Sequence, residues 1–470
     1  MRPLETIVII LLLLFATQFL FPSAIETQRK VAIRGALSLI GASAFLGHAL
    51  IEGLRWQLIP IYIPSLILYA YGSGKTIGSL NKTRPISQAA SPRRRKGIAI
   101  IVTTVILVSS TLFLNSLFPA FYLPQPSGEY QIGTVTFDLT DETRNETFTD
   151  SPDDHRRILI KAWYPSDSVA GYAMAPYVDA PDQFAIGIQS SFGFPSIVVS
   201  HIPLTPTHSY VNAPLSQVET DYPVLIFSHG YGGIIMQDTV LMEELASNGY
   251  IVFSISHSYE AAVTSFPDGS VIYEAVEEMY ADIENSLHIW ANDTIFLVDE
   301  LEIANNPDIP SILWGGMDLT RIGIFGHSFG GTTAEHLILQ DIRFDVGISL
   351  DSPHGGNSLV QNMVKPFMLM FGPDYGNPEM NDTIYNRAEG FCYGLYVHGT
   401  RHYNFADVTI WSPVLRSFDL LGSIDGYRML DILTSYVLAF FDVHLGGIPS
   451  PLLDGPSTLY PEVEFYRKLP

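Results

Sequence analysis

A single cysteine, Cys392, in 470 residues rules out an intrachain disulfide, so whatever part of the chain lies outside the cytoplasm is held together by its core. Basic side chains are also scarce, with 25 Lys and Arg against 48 Asp and Glu, for a formal net charge of −23. The deficit is uneven. Residues 1–120 carry 12 basic and 3 acidic side chains, a net of +9, and the remainder carries 13 and 45, a net of −32. A region that acidic excludes binding to nucleic acid or anionic headgroups through its charge. Cysteine pairs of metal-ligand spacing are lacking and His354, near Asp351, stands isolated, so neither a metal ion nor another cofactor is expected. Internal repeats and low-complexity segments are absent as well.

What is abundant is apolar sequence, 47% of the chain, and its long runs all fall in the first quarter. Four are candidate membrane spans: residues 7–21, 35–51, 58–71 and 97–118. The last alone reaches the about 20 residues that cross a bilayer unaided. Pro60 and Pro64 interrupt the third. The first span follows Arg2 and has the position of a cleaved signal peptide, but the loop charges favour its retention. With four spans and an outer N-terminus, Arg29, Lys30, Arg34, Lys75, Lys82, Arg84 and the run 93–96 all fall in inner loops, leaving Arg2 and Arg55 outside. The expectation is a multi-pass integral membrane protein, with a membrane-spanning region over 1–120 and an extracytoplasmic domain over 121–470. Asn145, Asn292 and Asn381 each open an N-x-T triplet in that domain.

After residue 130, short β-type runs alternate with helical periodicity, the signature of a mainly parallel sheet with helices on both faces. Strands are expected over 157–165, 222–230, 250–256, 344–351, 366–372 and 393–399, and helices over 241–250 and 427–445. The acidic stretch 273–304 is expected to be helical and to cap a pocket.

Within this pattern Gly326, His327, Ser328, Phe329 and Gly330 join the apolar run 322–325 to a helix-forming stretch. A G-x-S-x-G pattern arises by chance about 0.1–0.2 times in a chain of this length, so its strand-turn-helix context decides its meaning. A turn that sharp leaves no room for a Cβ two residues to either side of the serine, a demand that Gly326 and Gly330 meet, and it holds Oγ outward as a nucleophile. A serine hydroxyl needs a histidine to take its proton and a carboxylate to fix that histidine's tautomer. The chain order Ser, acid, His leaves His354, His398, His402 and His444 as bases. His402 follows the strand expected at 393–399, on the side where ligands of open α/β sheets gather, whereas His444 falls in the final helix. Asp351 and Asp374 both follow expected strands, and spacing leaves the two open as the acid. For the oxyanion, one N–H comes from Phe329 and a second from the glycine loop 228–233, with Tyr231 as donor.

Together these segments resemble the plasma, or type II, platelet-activating-factor acetylhydrolase family of the α/β-hydrolase superfamily. The resemblance runs through 161–165, 207–216, 222–233, the elbow and 402–407, and covers roughly 155–440. It implies Asp351 rather than Asp374 as the acid, His402 as the base, and Tyr231 and Phe329 as oxyanion donors. It also implies a calcium-independent serine ester hydrolase that releases short or modified sn-2 acyl groups from phospholipids, with a lipid or small ester as its partner. A general short-chain carboxylesterase or lipase is the second reading. A non-catalytic membrane scaffold that keeps the fold is the third, and the full set of Ser328, Asp351, His402 and oxyanion donors argues against it. The N-terminal spans depart from the secreted enzymes of the family, and so does the acidity of the hydrolase region.

Overall fold

The structure, a computed structural model, describes residues 1–19, 28–80, 93–275, 282–373 and 378–470. Asp374, one of the two acids left open by spacing, and the loop cations Lys82 and Arg84 lie outside the described residues. The chain forms two compact units, Met1–Phe121 with Ser200–Leu204 and Tyr122–Val199 with Thr205–Pro470.

The first unit is made of the helices α1 (Pro3–Thr17), α2 (Gln28–Ile51), α3 (Ile59–Leu80) and α4 (Arg93–Leu117). Proline opens α1 where an N–H would lack an intrahelical partner anyway, and the Glu5 carboxylate accepts from the Arg2 amide at 3.0 Å. Apolar side chains turn outward: Ile10, Leu14, Leu39, Leu46, Ile63, Ile67, Ile106 and Phe113 are exposed, the reverse of a water-facing bundle. Charge lies inside instead. Arg55 Nε and Nη2 each donate to the buried Glu5 at 2.8 Å, and His48 bridges Glu52 at 3.0 Å and the Tyr62 hydroxyl at 2.7 Å. Glu5, His48 and Glu52 are close enough to share a cation, but the guanidiniums of Arg2 and Arg55 already occupy Glu5.

Among the described residues three helices are long and apolar enough to cross a membrane: Val31–Ile51, Lys96–Leu117 and Gly426–Gly446. The third belongs to the second unit, where its apolar face is core, so two of the four expected spans meet the criterion. The other two fall short for visible reasons. At 15 residues α1 is shorter than a bilayer requires, and α3 ends in residues 72–80, mostly small or polar and including Lys75.

The strands of the second unit are β1 (Gln131–Asn145), β2 (His155–Ser166), β3 (Met174–Pro176), β4 (Pro206–Val211), β5 (Tyr222–Ser228), β6 (Ile251–Ser256), β7 (Val263–Ser265), β8 (Val271–Tyr273), β9 (Met317–His327), β10 (Phe344–Leu350), β11 (Phe367–Phe371), β12 (Cys392–Val397) and β13 (Val463–Lys468). Eleven of them form one sheet in the order β13-β12-β11-β10-β9-β5-β6-β2-β1-β4-β3, and β7 and β8 make a separate hairpin. The six central strands, β12 to β6 in that order, are parallel, and β13 and β2 flank them antiparallel. Parallel strands are stable only when both faces are covered, and the period-2 alternation of side chains does this. Leu225, Phe227, Phe325, Ile348 and Met370 meet the final helix Gly426–Phe441 on one face. Ile226, Ile324, Phe367 and Leu369 meet the helices Ile283–Glu302 and Phe329–Gln340 on the other. Each large apolar side chain so buried stabilises the fold by about 1.5–3 kcal/mol, which makes the sheet a stiff platform for the loops at its ends. The architecture is that of an α/β-hydrolase.

The stretch 273–304 was expected to be helical and to cap a pocket; residues 276–281 lie outside the described residues, Tyr273 ends a strand, and the helix runs over Ile283–Glu302 in a different role. Ala291, Leu297, Val298 and Leu301 bind it to the sheet, so it forms part of a covering layer. Its first turns alone, through Leu287 and Trp290, reach the elbow residue Phe329.

Candidate active site

The site is assembled from loops at the C-terminal ends of five neighbouring parallel strands, β5, β9, β10, β11 and β12, the edge at which open α/β sheets bind ligands. At the end of β9, Ser328 has φ 54° and ψ −123°, a backbone conformation that is costly for a residue with a Cβ. The turn is held there by the Ser328 N–H, which donates to the Leu350 carbonyl of β10 at 2.8 Å. The flanking glycines are dictated by space. A Cβ on Gly326 would stand 2.3 Å from the Gly330 carbonyl carbon, and one on Gly330 would stand 2.0 Å from the Ser228 carbonyl oxygen. The helix Phe329–Gln340 starts directly after Ser328, so its N-terminal amides and the positive end of its dipole face the serine.

Asp351 follows β10 with φ 49°, its N–H donating to the Met370 carbonyl at 2.7 Å. Its Oδ1 accepts from the Gly372 N–H at 2.8 Å, and its Oδ2 lies 2.7 Å from His402 Nδ1. The carboxylate thus holds the imidazole with its hydrogen on Nδ1, which leaves Nε2 as a proton acceptor. Burial pushes Asp351 up to about 7 and His402 down to about 4. The two titrate as one unit across so short a bond, and the first proton the pair takes up resides on the imidazole, the intrinsically more basic group. His402 itself sits on a 3-10 turn, His402–Phe405, braced by Asn404, whose Oδ1 accepts from the Arg401 and Gly422 amides at 2.8 and 2.7 Å.

After β5 the glycine loop turns at Gly233, whose N–H donates to the Gly230 carbonyl at 2.8 Å, and Gly232 takes φ 62°. The loop passes so near the elbow that a Cβ on Gly230 would be 3.2 Å from Ser328 Cβ. This brings Tyr231 beside Phe329, ring centroids 5.0 Å apart, with Trp290 and Leu287 closing an apolar wall.

The other histidines are engaged elsewhere. His354 Nδ1 lies 2.6 Å from the buried Glu335, and His444 Nε2 lies 3.0 Å from the Tyr393 hydroxyl. His398, four residues before His402, stands just past β12 and pairs with Glu464 at 3.2 Å. Sequence reasoning missed a second serine, histidine and aspartate set under the glycine loop. His257 Nε2 lies 3.2 Å from Ser228 Oγ, and His257 Nδ1 lies 2.9 Å from Asp293 Oδ2. All three residues are 0% exposed and Trp290 stacks on His257 at 4.0 Å, so the set is sealed from substrate and braces the ends of β5 and β6. Burial opposes ionisation of Asp293, but the Arg156 guanidinium, with its Nη2 at 2.7 Å, holds the carboxyl well below the usual range. The available signal was Arg156 itself, a charge at the head of an apolar strand that demands a buried partner.

The profile of the family described as platelet-activating factor acetylhydrolase, isoform II, matches residues 116–290 and 298–448. A probable 1-alkyl-2-acetylglycerophosphocholine esterase of Arthroderma benhamiae is 25% identical over 406 residues, covering 77% of this chain and 98% of the relative. The platelet-activating factor acetylhydrolase of Canis lupus familiaris is 26% identical over 366 residues, covering 69% and 77%. Among solved structures, the ferulic acid esterase from Streptomyces cinnamoneus superposes with a TM-score of 0.63 at 30% identity, covering 73% of this chain and 98% of that one. With a family match over more than half its length and an esterase of the same fold as its structural neighbour, the chain is a carboxylic ester hydrolase and belongs to the platelet-activating factor acetylhydrolase, isoform II, family.

Proposed function

We propose that the protein releases short or modified sn-2 acyl groups from phospholipids, independently of calcium, with Ser328 as nucleophile, His402 as proton shuttle and Asp351 as orienting acid. Ser328 Oγ adds to the ester carbonyl while its proton passes to His402 Nε2. The resulting oxyanion is met by the Tyr231 and Phe329 amides. Collapse expels the lysolipid alkoxide, which takes the proton from His402 and leaves an acyl-enzyme that water hydrolyses by the same steps. The observation that carries this reading is the 2.7 Å bond from His402 to Asp351 in the loops around a serine at φ 54°.

In this reading residues 1–120 embed in the membrane as about four helices, two of which are long enough to span unaided, and 121–470 form an extracytoplasmic catalytic domain. The outward apolar surfaces of α1 to α4 support embedding, and the basic loops support the orientation. Anchoring at the bilayer raises the local concentration of lipid esters. The ferulic acid esterase likeness keeps a general short-chain esterase as the second reading.

The test is acyl release by the detergent-solubilised protein from paired phospholipids, sn-2 acetyl and sn-2 long-chain, with chelator, against Ser328→Ala. Release from the acetyl lipid that is abolished in Ser328→Ala supports the proposal. Cleavage of soluble short-chain esters without lipid cleavage selects the general esterase, and turnover that survives Ser328→Ala refutes both.

A further inference from the structure

Three loops must keep their places relative to one another for this chemistry: the glycine loop after β5, the elbow after β9 and the His402 loop after β12. Two buried side chains outside the reaction scheme, Gln237 and His327, join all three. The Gly230 N–H donates to Gln237 Oε1 at 3.0 Å. Gln237 Nε2 lies 3.0 Å from His327 Nδ1 and 3.1 Å from Asp238 Oδ2, and His327 Nε2 lies 3.0 Å from the His402 carbonyl oxygen. The sense of this chain is fixed at both ends. A backbone N–H can only donate and a carbonyl can only accept, so Gln237 turns its oxygen to Gly230 and its NH2 to His327. His327 must then be neutral, with its hydrogen on Nε2. Burial, assisted by the neighbouring His402, depresses His327 to about 3, which keeps it neutral at working pH. Gln237 and His327 are 6% and 2% exposed, so solvent is poorly placed to substitute for either. A second tie runs alongside, since the Asp407 N–H, on the segment that follows His402, donates to the Gln237 carbonyl at 3.1 Å.

We infer that Gln237 and His327 form a positioning relay that couples the glycine loop to the His402 loop across the elbow, so that the oxyanion amides and the His402 imidazole are set together around Ser328. The inference rests on the serine-hydrolase reading above. Neither side chain touches a reacting atom in that scheme. Cutting the relay lets the two loops settle independently, which removes an alignment used in the transition state and leaves ground-state binding alone.

The experiment measures kcat and KM of the solubilised full-length protein on 4-nitrophenyl acetate, with active sites counted by a fluorophosphonate. His327→Phe keeps a ring but neither hydrogen bond. His327→Gln keeps one acceptor and one donor. Gln237→Glu keeps size and the acceptor for Gly230 but loses the donor to neutral His327. Per titrated site, His327→Phe and Gln237→Glu are expected to lose about 100-fold in kcat with KM within about twofold, and His327→Gln to regain at least about tenfold of the loss. The relay is overturned if His327→Phe and Gln237→Glu stay within about threefold of wild type per site, or if His327→Gln is no better than His327→Phe. Counting active sites separates a lower rate from a lower folded fraction. Ser328→Ala in the same panel separates the two claims: turnover by Ser328→Ala sinks the serine reading, whereas a silent Ser328→Ala beside wild-type rates in the relay variants sinks the relay alone.

Discussion

Asp351→Asn changes one atom and leaves the packing, so its effect isolates what the carboxylate does. Asp351 Oδ1 accepts from the Gly372 N–H at 2.8 Å, and that amide will keep the carbonyl oxygen of an asparagine on its side. The asparagine NH2 then occupies the position of Oδ2, 2.7 Å from His402 Nδ1. Two donors cannot face each other, so the imidazole must present its lone pair on Nδ1 and carry its hydrogen on Nε2, the tautomer that cannot accept from Ser328. The same substitution in the Ser-His-Asp template costs about 10⁴ in kcat, and at about 1.4 kcal/mol per tenfold this is roughly 5–6 kcal/mol of lost transition-state stabilisation. The assay is kcat on a soluble acetyl ester, per active site, for Asp351→Asn and Asp374→Asn side by side. The expected result is a loss near 10⁴-fold in the first and a change of less than about threefold in the second. Retention of more than about a tenth of wild-type kcat by Asp351→Asn, or an equal loss in Asp374→Asn, would refute the tautomer argument.

Three further outcomes follow from the same geometry. Because burial raises Asp351 to about 7 and lowers His402 to about 4, the pair takes up its first proton between those values and that proton blocks His402 Nε2, so kcat/KM should fall as pH drops from about 7 to about 4; a profile flat to below pH about 4 would contradict the assignment. Gly330→Ala sets a Cβ 2.0 Å from the Ser228 carbonyl oxygen and 2.4 Å from that of His229, so the elbow or the end of β5 must move. Thermal unfolding should register a loss of about 1–3 kcal/mol together with most of the activity, whereas Gly455→Ala, in open space, should stay within about 0.5 kcal/mol of wild type. Arg156→Met removes the more buried of the two guanidiniums that pair with Asp293, leaving Arg144 at 3.0 Å, at a cost of up to about 3–5 kcal/mol, and adding Asp293→Asn should recover much of that; denaturant unfolding that finds the double variant no better than the single would count against a desolvation origin.

Why some of this was legible from sequence and some was not comes down to whether a constraint is local. The elbow is local: Ser328 at φ 54° and the backbone contacts at Gly326 and Gly330 force residue types within five positions, and those types can be read directly. The central strands are nearly as legible, since β5, β6 and β10 are buried along almost their whole length and parallel strands covered on both faces read as continuous apolar runs. Strands β1 and β13 were not expected. β1 mixes buried apolar residues with polar and charged ones on both faces, and β13 owes its conformation to β12, from which it is separated by more than sixty residues, through pairs such as Leu395 with Phe465. The acid stayed open between Asp351 and Asp374 on spacing, because strand order says which loops adjoin and nothing about which carboxylate reaches His402.

The buried polar groups divide along the same line. Gln237 and His327 are 90 residues apart, and Arg156 and Asp293 are 137 apart, so no window of sequence contains either pair. Yet one half of the ionic pair can be found by elimination. Asp293 lies three residues after Trp290 and four before Leu297, on the apolar stripe that binds its helix to the sheet. An ionised carboxylate on such a stripe is untenable without a buried cation. In the catalytic region the cations able to enter a core from within an apolar strand are few, and Arg156 at the head of β2 is one of them. A charge on the wrong face of an element is therefore a long-range statement written locally: it gives no partner's position, but it demands that the fold supply one.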